Sequence, residues 1–125
     1  NHICFYFKKI NALFTGDTLF SLGCGRIFEG TYKQMFDSLN LIKSFPKKTM
    51  IYFGHEYTKQ NSKFCIKHDK SNNNLKKMIE KIDIKLNKGL DSTPTKLGEE
   101  IECNIFLKTN NFQKFSKLRQ LKDNF

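Results

Sequence analysis

The 125 residues carry a formal net charge of +10 and a mean hydropathy of −0.54, which bounds the chain to about one domain with a modest core. No apolar run approaches the roughly 20 residues that a membrane-crossing helix needs. The basic balance suits nucleic acid, a membrane surface or an anionic small molecule. The lysines are scattered, however, with no arginine-rich stretch, RNP-like aromatic motif or zinc-finger spacing, which argues against specific nucleic-acid binding.

The chain begins at Asn1 and enters at once an apolar run, Ile3-Cys4-Phe5-Tyr6-Phe7, the look of a chain cut upstream of a structured element. Residues 2–7 and 12–15 read as strands, joined by the polar turn Lys8-Lys9-Ile10-Asn11 of hairpin length. Residues 20–25 read as a loop with two glycines. Thr31 is a plausible helix N-cap. Met35, Phe36, Leu39 and Ile42 then recur at helical spacing up to about Ser44, and Pro46 stops the helix. Residues 49–53 form a β-like run with Gly54-His55 at its end. From Glu56 onward the strand signal fades. Leu75, Met78, Ile79, Ile82 and Leu86 mark one helix face, started by Ser71 or the following asparagines and closed by Gly89. Thr93-Pro94 opens an irregular stretch, and Phe112, Phe115 and Leu118 mark a last helix running into Arg119 and Lys122.

Cys4, Cys24, Cys65 and Cys103 include no C-x-x-C pair, and reduced, mostly buried thiols are the expectation. Asp17 follows a strand and a glycine, where a carboxylate can project into the crevice beyond the sheet and ligate a metal; the alternative is a turn aspartate bonded to its own backbone. His55 stands at the end of a β-run, where a neutral imidazole can bind zinc or iron, or cap a helix. His68, between Lys67 and Asp69, reads as surface. Gly23-Cys24-Gly25-Arg26 makes a tight glycine loop carrying a cation, whose amides can face an anion. Arg119 and Lys122 are three apart and share a helix face. Such a pair can grip a carboxylate, although the commoner setting is a solvated basic face.

Taken in order, Phe14-Thr15-Gly16-Asp17-Thr18-Leu19-Phe20, then Gly23-Cys24-Gly25-Arg26-Ile27-Phe28-Glu29-Gly30-Thr31, then Gly54-His55-Glu56-Tyr57-Thr58 resemble the glyoxalase II (hydroxyacylglutathione hydrolase) branch of the metallo-β-lactamase superfamily. The tail Leu118-Arg119-Gln120-Leu121-Lys122-Asp123-Asn124-Phe125 is similar to that family's C-terminus. The resemblance runs from His2 to Phe125, and the Gly-Cys-Gly-Arg-x-Phe-Glu-Gly-Thr run is its most specific part. Persulfide dioxygenases share the first pieces but depart from the Phe-Glu-Gly-Thr continuation.

The resemblance implies an α/β chain: the C-terminal half of a metallo-β-lactamase αββα sandwich over residues 1–55, then an α-helical domain that binds the glutathione part of the substrate over 56–125. It implies hydrolysis of S-D-lactoylglutathione, or a related 2-hydroxyacyl thioester, to glutathione and a 2-hydroxy acid, in methylglyoxal detoxification in the cytoplasm. Two divalent ions, zinc or else iron or manganese, would serve as cofactors. Asp17 would bridge the two and His55 would bind one of them. Arg26, Phe28 and Tyr57 would contact the glutathionyl part, and Arg119 with Lys122 would hold its glycine carboxylate. No nucleic-acid or membrane partner is expected, and the full-length enzyme is expected to be a monomer. The family's T-H-x-H-x-D-H string does not occur in this sequence, and by the same resemblance His2 is not a ligand. With only Asp17 and His55, neither metal has a complete set of ligands. The chain by itself is therefore expected to be inactive, with an exposed strand edge and poor solubility. A non-catalytic glutathione-binding module or gene remnant, another hydrolase of the superfamily and a basic RNA-binding helical protein are the alternatives.

Overall fold

A computed structural model describes residues 4–26 and 31–125, so the expectations placed on His2 and Phe28 lie outside it. Strands β1 (Phe5–Phe7) and β2 (Ala12–Gly16) form an antiparallel hairpin with Phe5 opposite Phe14 and Phe7 opposite Ala12. A single 3-10 turn at Lys8–Ile10 joins them, and Asn11 closes it at φ 50°, a conformation its short polar side chain tolerates. Residues 20–25, read above as a loop, instead hold a second small hairpin, β3 (Leu19–Phe20) with β4 (Gly23–Cys24). Strands of two residues leave no alternation to read.

Helix α1 (Tyr32–Lys43) begins with a capping box between Thr31 and Gln34 and buries Met35, Phe36, Leu39 and Ile42, the stripe that the spacing predicts. Burying each such side chain contributes about 1.5–3 kcal/mol. The helix returns the chain to β5 (Met50–Phe53), which runs parallel to β2. The remainder is mostly helical: α2 (Thr58–His68), α3 (Asn73–Asn87), α4 (Leu97–Cys103), α5 (Ile105–Lys108) and α6 (Phe112–Asp123). Asn72 and Asn111 cap α3 and α6 by accepting from Leu75 N and Lys114 N. The stretch after Thr93-Pro94 is not irregular. Strand β6 (Thr95–Lys96) pairs antiparallel with β5 and runs straight into α4, giving the sheet the order β1-β2-β5-β6.

One face of that sheet, with Leu13 and Ile51, packs on α1 and joins Phe64, Phe106 and Phe115 from the helices in one core. A second core gathers Cys65, Leu75, Met78, Ile82 and Cys103 from α2, α3 and α4, and Leu22 from the β3–β4 turn is driven into it. Leu22 does so at φ 59°, a left-handed conformation that is costly for a side chain with a Cβ, so its burial must offset that strain. The opposite face of the sheet is aromatic and open: Phe5, Phe7, Phe14 and Tyr52 are exposed there, with Phe14 stacked on Tyr52 at 4.9 Å. Cys24, Cys65 and Cys103 are buried free thiols and Cys4 is exposed, as expected for an undisulfided chain. Among the described residues no helix is long and apolar enough to cross a membrane.

Candidate functional site

Parallel pairing of β2 with β5 brings their C-terminal ends together, and the side chains just beyond them meet. Asp17 Oδ1 lies 3.1 Å from His55 Nε2, both groups at least half exposed. Gly54 permits this approach, because a Cβ there would sit 3.1 Å from Asp17 Oδ1 and 3.1 Å from the Gly16 carbonyl. The ring of Tyr57 stacks on His55 at 5.1 Å and meets Phe20 edge-on at 5.1 Å. Glu56, next in line, turns away from the pair: it accepts from Ser92 N and Ser92 Oγ, both at 2.6 Å. Burial works against its ionisation, but the Ser92 and Thr58 hydrogen bonds outweigh it and hold the carboxyl below its ordinary value.

Asp17, Phe20, His55 and Tyr57 line a cleft of about 520 Å³. The same cleft is lined by basic side chains, Arg26 from beyond β4 and Arg119 and Lys122 from α6. Burial, with the Arg119 and Arg26 charges, holds the Lys122 ammonium below the usual lysine value. Arg119 is not on a solvated face; its side chain is 4% exposed. The guanidinium donates through Nη1 to Cys24 O at 2.7 Å and Gly25 O at 3.3 Å, and through Nε and Nη2 to Asp123 Oδ1 at 3.1 and 2.9 Å. Its depth follows from packing, since the group lies 5.3 Å over the buried Phe106 ring. Asp123 also lies 3.5 Å from Arg26 Nε, so a single carboxylate ties the two arginines together. Cys24 lines the cleft as an inert thiol, pushed up to about 11 by burial in spite of Arg119 beside it.

Asp17, Arg26, His55, Tyr57, Arg119 and Lys122, each singled out from the sequence, thus face one cleft, with Phe28 outside the described residues. His68 is not among the residues that line it and is exposed, as its charged neighbours imply. Sequence reasoning missed Phe20, Gln60 and Asn61 as lining residues. Gln60 and Asn61 follow Tyr57 on the first turn of α2, and that placement was the available signal. For a metal, Asp17 and His55 offer a carboxylate oxygen and an imidazole nitrogen side by side, a donor pair that suits zinc, iron or manganese. Among the described residues no third His, Cys, Asp or Glu joins them.

The chain is 64% identical over 124 residues to a hydroxyacylglutathione hydrolase of Pelagibacter ubique (strain HTCC1062), covering 99% of this chain and 52% of that protein. It is 46% identical over 124 residues to one from Prochlorococcus marinus (strain MIT 9301), covering 98% and 50%, and 39% identical over 137 residues to one from Bartonella henselae, covering 98% and 54%. The chain therefore spans about half the length of the curated relatives it matches. The family described as "Hydroxyacylglutathione hydrolase C-terminus" matches residues 56–125, more than half of the chain, from the residue after His55 through the basic pair on α6. By that match the chain belongs to the hydroxyacylglutathione hydrolase C-terminal family.

Proposed function

We propose that this chain supplies the substrate-holding wall and part of the metal ligand set of a hydrolase of S-(2-hydroxyacyl)glutathione, S-D-lactoylglutathione being the expected substrate and glutathione and D-lactate the products. The observation that carries the reading is the make-up of the cleft: a carboxylate–imidazole pair 3.1 Å apart shares one lining with the cations of Arg26, Arg119 and Lys122. A glutathione thioester is an anion with both a hydrolysable carbonyl and a glycine carboxylate, so it matches a cleft that offers both metal-ligating groups and cations. Asp17 would bridge the two divalent ions and His55 would bind one. When bound, such ions supply a water nucleophile at neutral pH and polarise the thioester carbonyl. Tyr57, stacked on His55, would orient the glutathionyl part beside that carbonyl. Lys122 and Arg26, whose charges are the more accessible, would take the glycine carboxylate, with Arg119 behind them.

The open aromatic face of the sheet supports the further reading that residues 1–55 are half of an αββα sandwich, since an aromatic sheet face is buried against a second sheet in such architectures. The reaction belongs to methylglyoxal detoxification, and a reducing cytoplasm suits the free thiols.

Titration calorimetry of the chain with glutathione and with S-D-lactoylglutathione, beside a turnover assay with added zinc, tests the reading. Saturable heat is expected, with thioester loss no faster than in buffer. No heat with either compound would remove the substrate assignment, and robust turnover by the chain alone would overturn the incomplete ligand set. A glutathione-binding module without catalysis is the second reading, favoured by the two-donor metal set among the described residues.

A further inference from the structure

The hairpin that forms the wall of the cleft is held by side chains from the helical part of the chain to a degree its own two-residue strands cannot explain. Every backbone carbonyl from residue 20 to residue 25 accepts from one of them. Asn104 Nδ2 donates to Phe20 O at 3.2 Å and to Gly23 O at 3.1 Å, Asn61 Nδ2 to Ser21 O at 3.1 Å, and Cys65 Sγ to Leu22 O at 3.1 Å. Arg119 takes the Cys24 and Gly25 carbonyls. On the donor side, Leu22 N reaches Glu100 Oε1 at 2.8 Å and Ser21 Oγ reaches Glu100 Oε2 at 2.7 Å. Glu100 is wholly buried, and its remaining contacts are Thr95 Oγ1 at 2.7 Å and Asn104 Nδ2 at 3.2 Å.

A buried carboxylate without a basic partner is costly unless each lone pair is engaged, and here each oxygen receives two donors. Neither Glu100 nor Asn104 lines the cleft. What they hold is the turn between Phe20, which packs on Tyr57, and Arg26, which carries the charge.

We propose that Glu100 and Asn104 are positioning residues of the substrate cleft: from α4 and its C-terminal end they fix the β3–β4 turn and so set the placement of Phe20 and Arg26 against Tyr57 and Lys122. The consequence for substrate rests on the glutathione thioester reading; the effect on the turn does not.

The test compares Glu100→Ala, Asn104→Ala and the isosteric Glu100→Gln in the whole chain. Gln retains an oxygen for Leu22 N and presents an amide to the Ser21 and Thr95 hydroxyls, which can turn to accept it. Two readouts are taken: affinity for S-methylglutathione by calorimetry, and amide hydrogen exchange by NMR. Glu100→Ala and Asn104→Ala are expected to weaken binding at least tenfold and to speed exchange of the residue 20–25 amides, while exchange in α3 stays native. Glu100→Gln is expected to bind within threefold of the native chain. Should Glu100→Ala not fold, Ser21→Ala and Thr95→Val each remove one donor to the carboxylate. They are expected to weaken binding two- to fourfold and to speed exchange at Leu22. Native affinity and native exchange in the folded variants would overturn the proposal, as would a Gln variant as weak as the Ala variant. If the native chain itself does not bind S-methylglutathione, the substrate reading fails. The positioning role is then decided by exchange alone: acceleration confined to residues 20–25 sustains it, and none overturns it.

Discussion

At Gly25 the backbone leaves β4 so close to the turn after β2 that a Cβ would collide with the Asp17 carbonyl, while Gly25 N donates to Thr18 O at 2.9 Å. The glycine is needed for close approach, and it couples the basic wall to the turn that carries Asp17. Gly89 differs: nothing lies within 4 Å of its Cβ position, but it ends α3 at φ 76°. Alanine should therefore cost by steric overpacking at Gly25, about 1–3 kcal/mol or more, and by backbone strain alone at Gly89, about 1 kcal/mol. Urea unfolding of the two variants measures the difference. Gly25→Ala should also lose glutathione binding because it displaces Asp17 and Arg26 together, whereas Gly89→Ala should keep native affinity. Equal binding by both would mean that the two turns are not coupled.

Helices α1, α3 and α6 were legible in the sequence because an apolar stripe at 3.6-residue spacing coincides with a side chain able to cap: Thr31, Asn72 and Asn111. Helix α2 was not, because Thr58, Asn61 and Ser62 are among its buried positions and they break the stripe. Asn61 is inside because it serves the Ser21 carbonyl, a reason that lies 40 residues away. Glu100 hides in the same manner, since nothing in Gly98-Glu99-Glu100 itself marks one of the two glutamates as buried, and its partner Leu22 lies 78 residues away. The cleft was legible where its residues lie in contiguous motifs, and illegible where support comes from a distant element.

Glu100 also carries a pH signature at this scale. Burial pushes its carboxyl above the ordinary 4.5, against the opposing pull of Leu22 N, Thr95, Ser21 and Asn104. A carboxyl raised on folding contributes stability that is complete below the unfolded value and lost as pH rises through the folded one. The titratable groups facing it, the Cys65 and Cys103 thiols, are each pushed up to about 12, burial being the main cause, and stay neutral across that window. Compared with Glu100→Gln, the native chain should therefore lose relative stability as pH rises from about 4.5. Urea midpoints of the two proteins between pH 4 and pH 8 measure it, and a gap that stays constant or moves the other way would refute the assignment.

Over the whole molecule, charge and apolar surface oppose each other. A net charge of +10 keeps copies of the chain apart, while Phe5 at 60% exposure and Phe7 at 52% lie on β1, an edge strand among the described residues, beside Phe14 and Tyr52. An unpaired edge with an aromatic face is a template for pairing. Repulsion between exposed charges is screened within about 8 Å at physiological salt, whereas the apolar attraction survives it, worth about 1.5–3 kcal/mol for each Phe fully covered. The isolated chain should therefore self-associate, more strongly as salt is raised. Phe5→Lys with Phe7→Lys should weaken association at least tenfold, because it removes two anchors and adds like charge to the edge. The pair lies outside the cleft, so glutathione affinity should not change. Sedimentation velocity across a concentration series at low and high salt reads the outcome. A native chain that stays monomeric at high salt would show that the aromatic face is too small, or too well flanked by lysine, to bind a second sheet by itself.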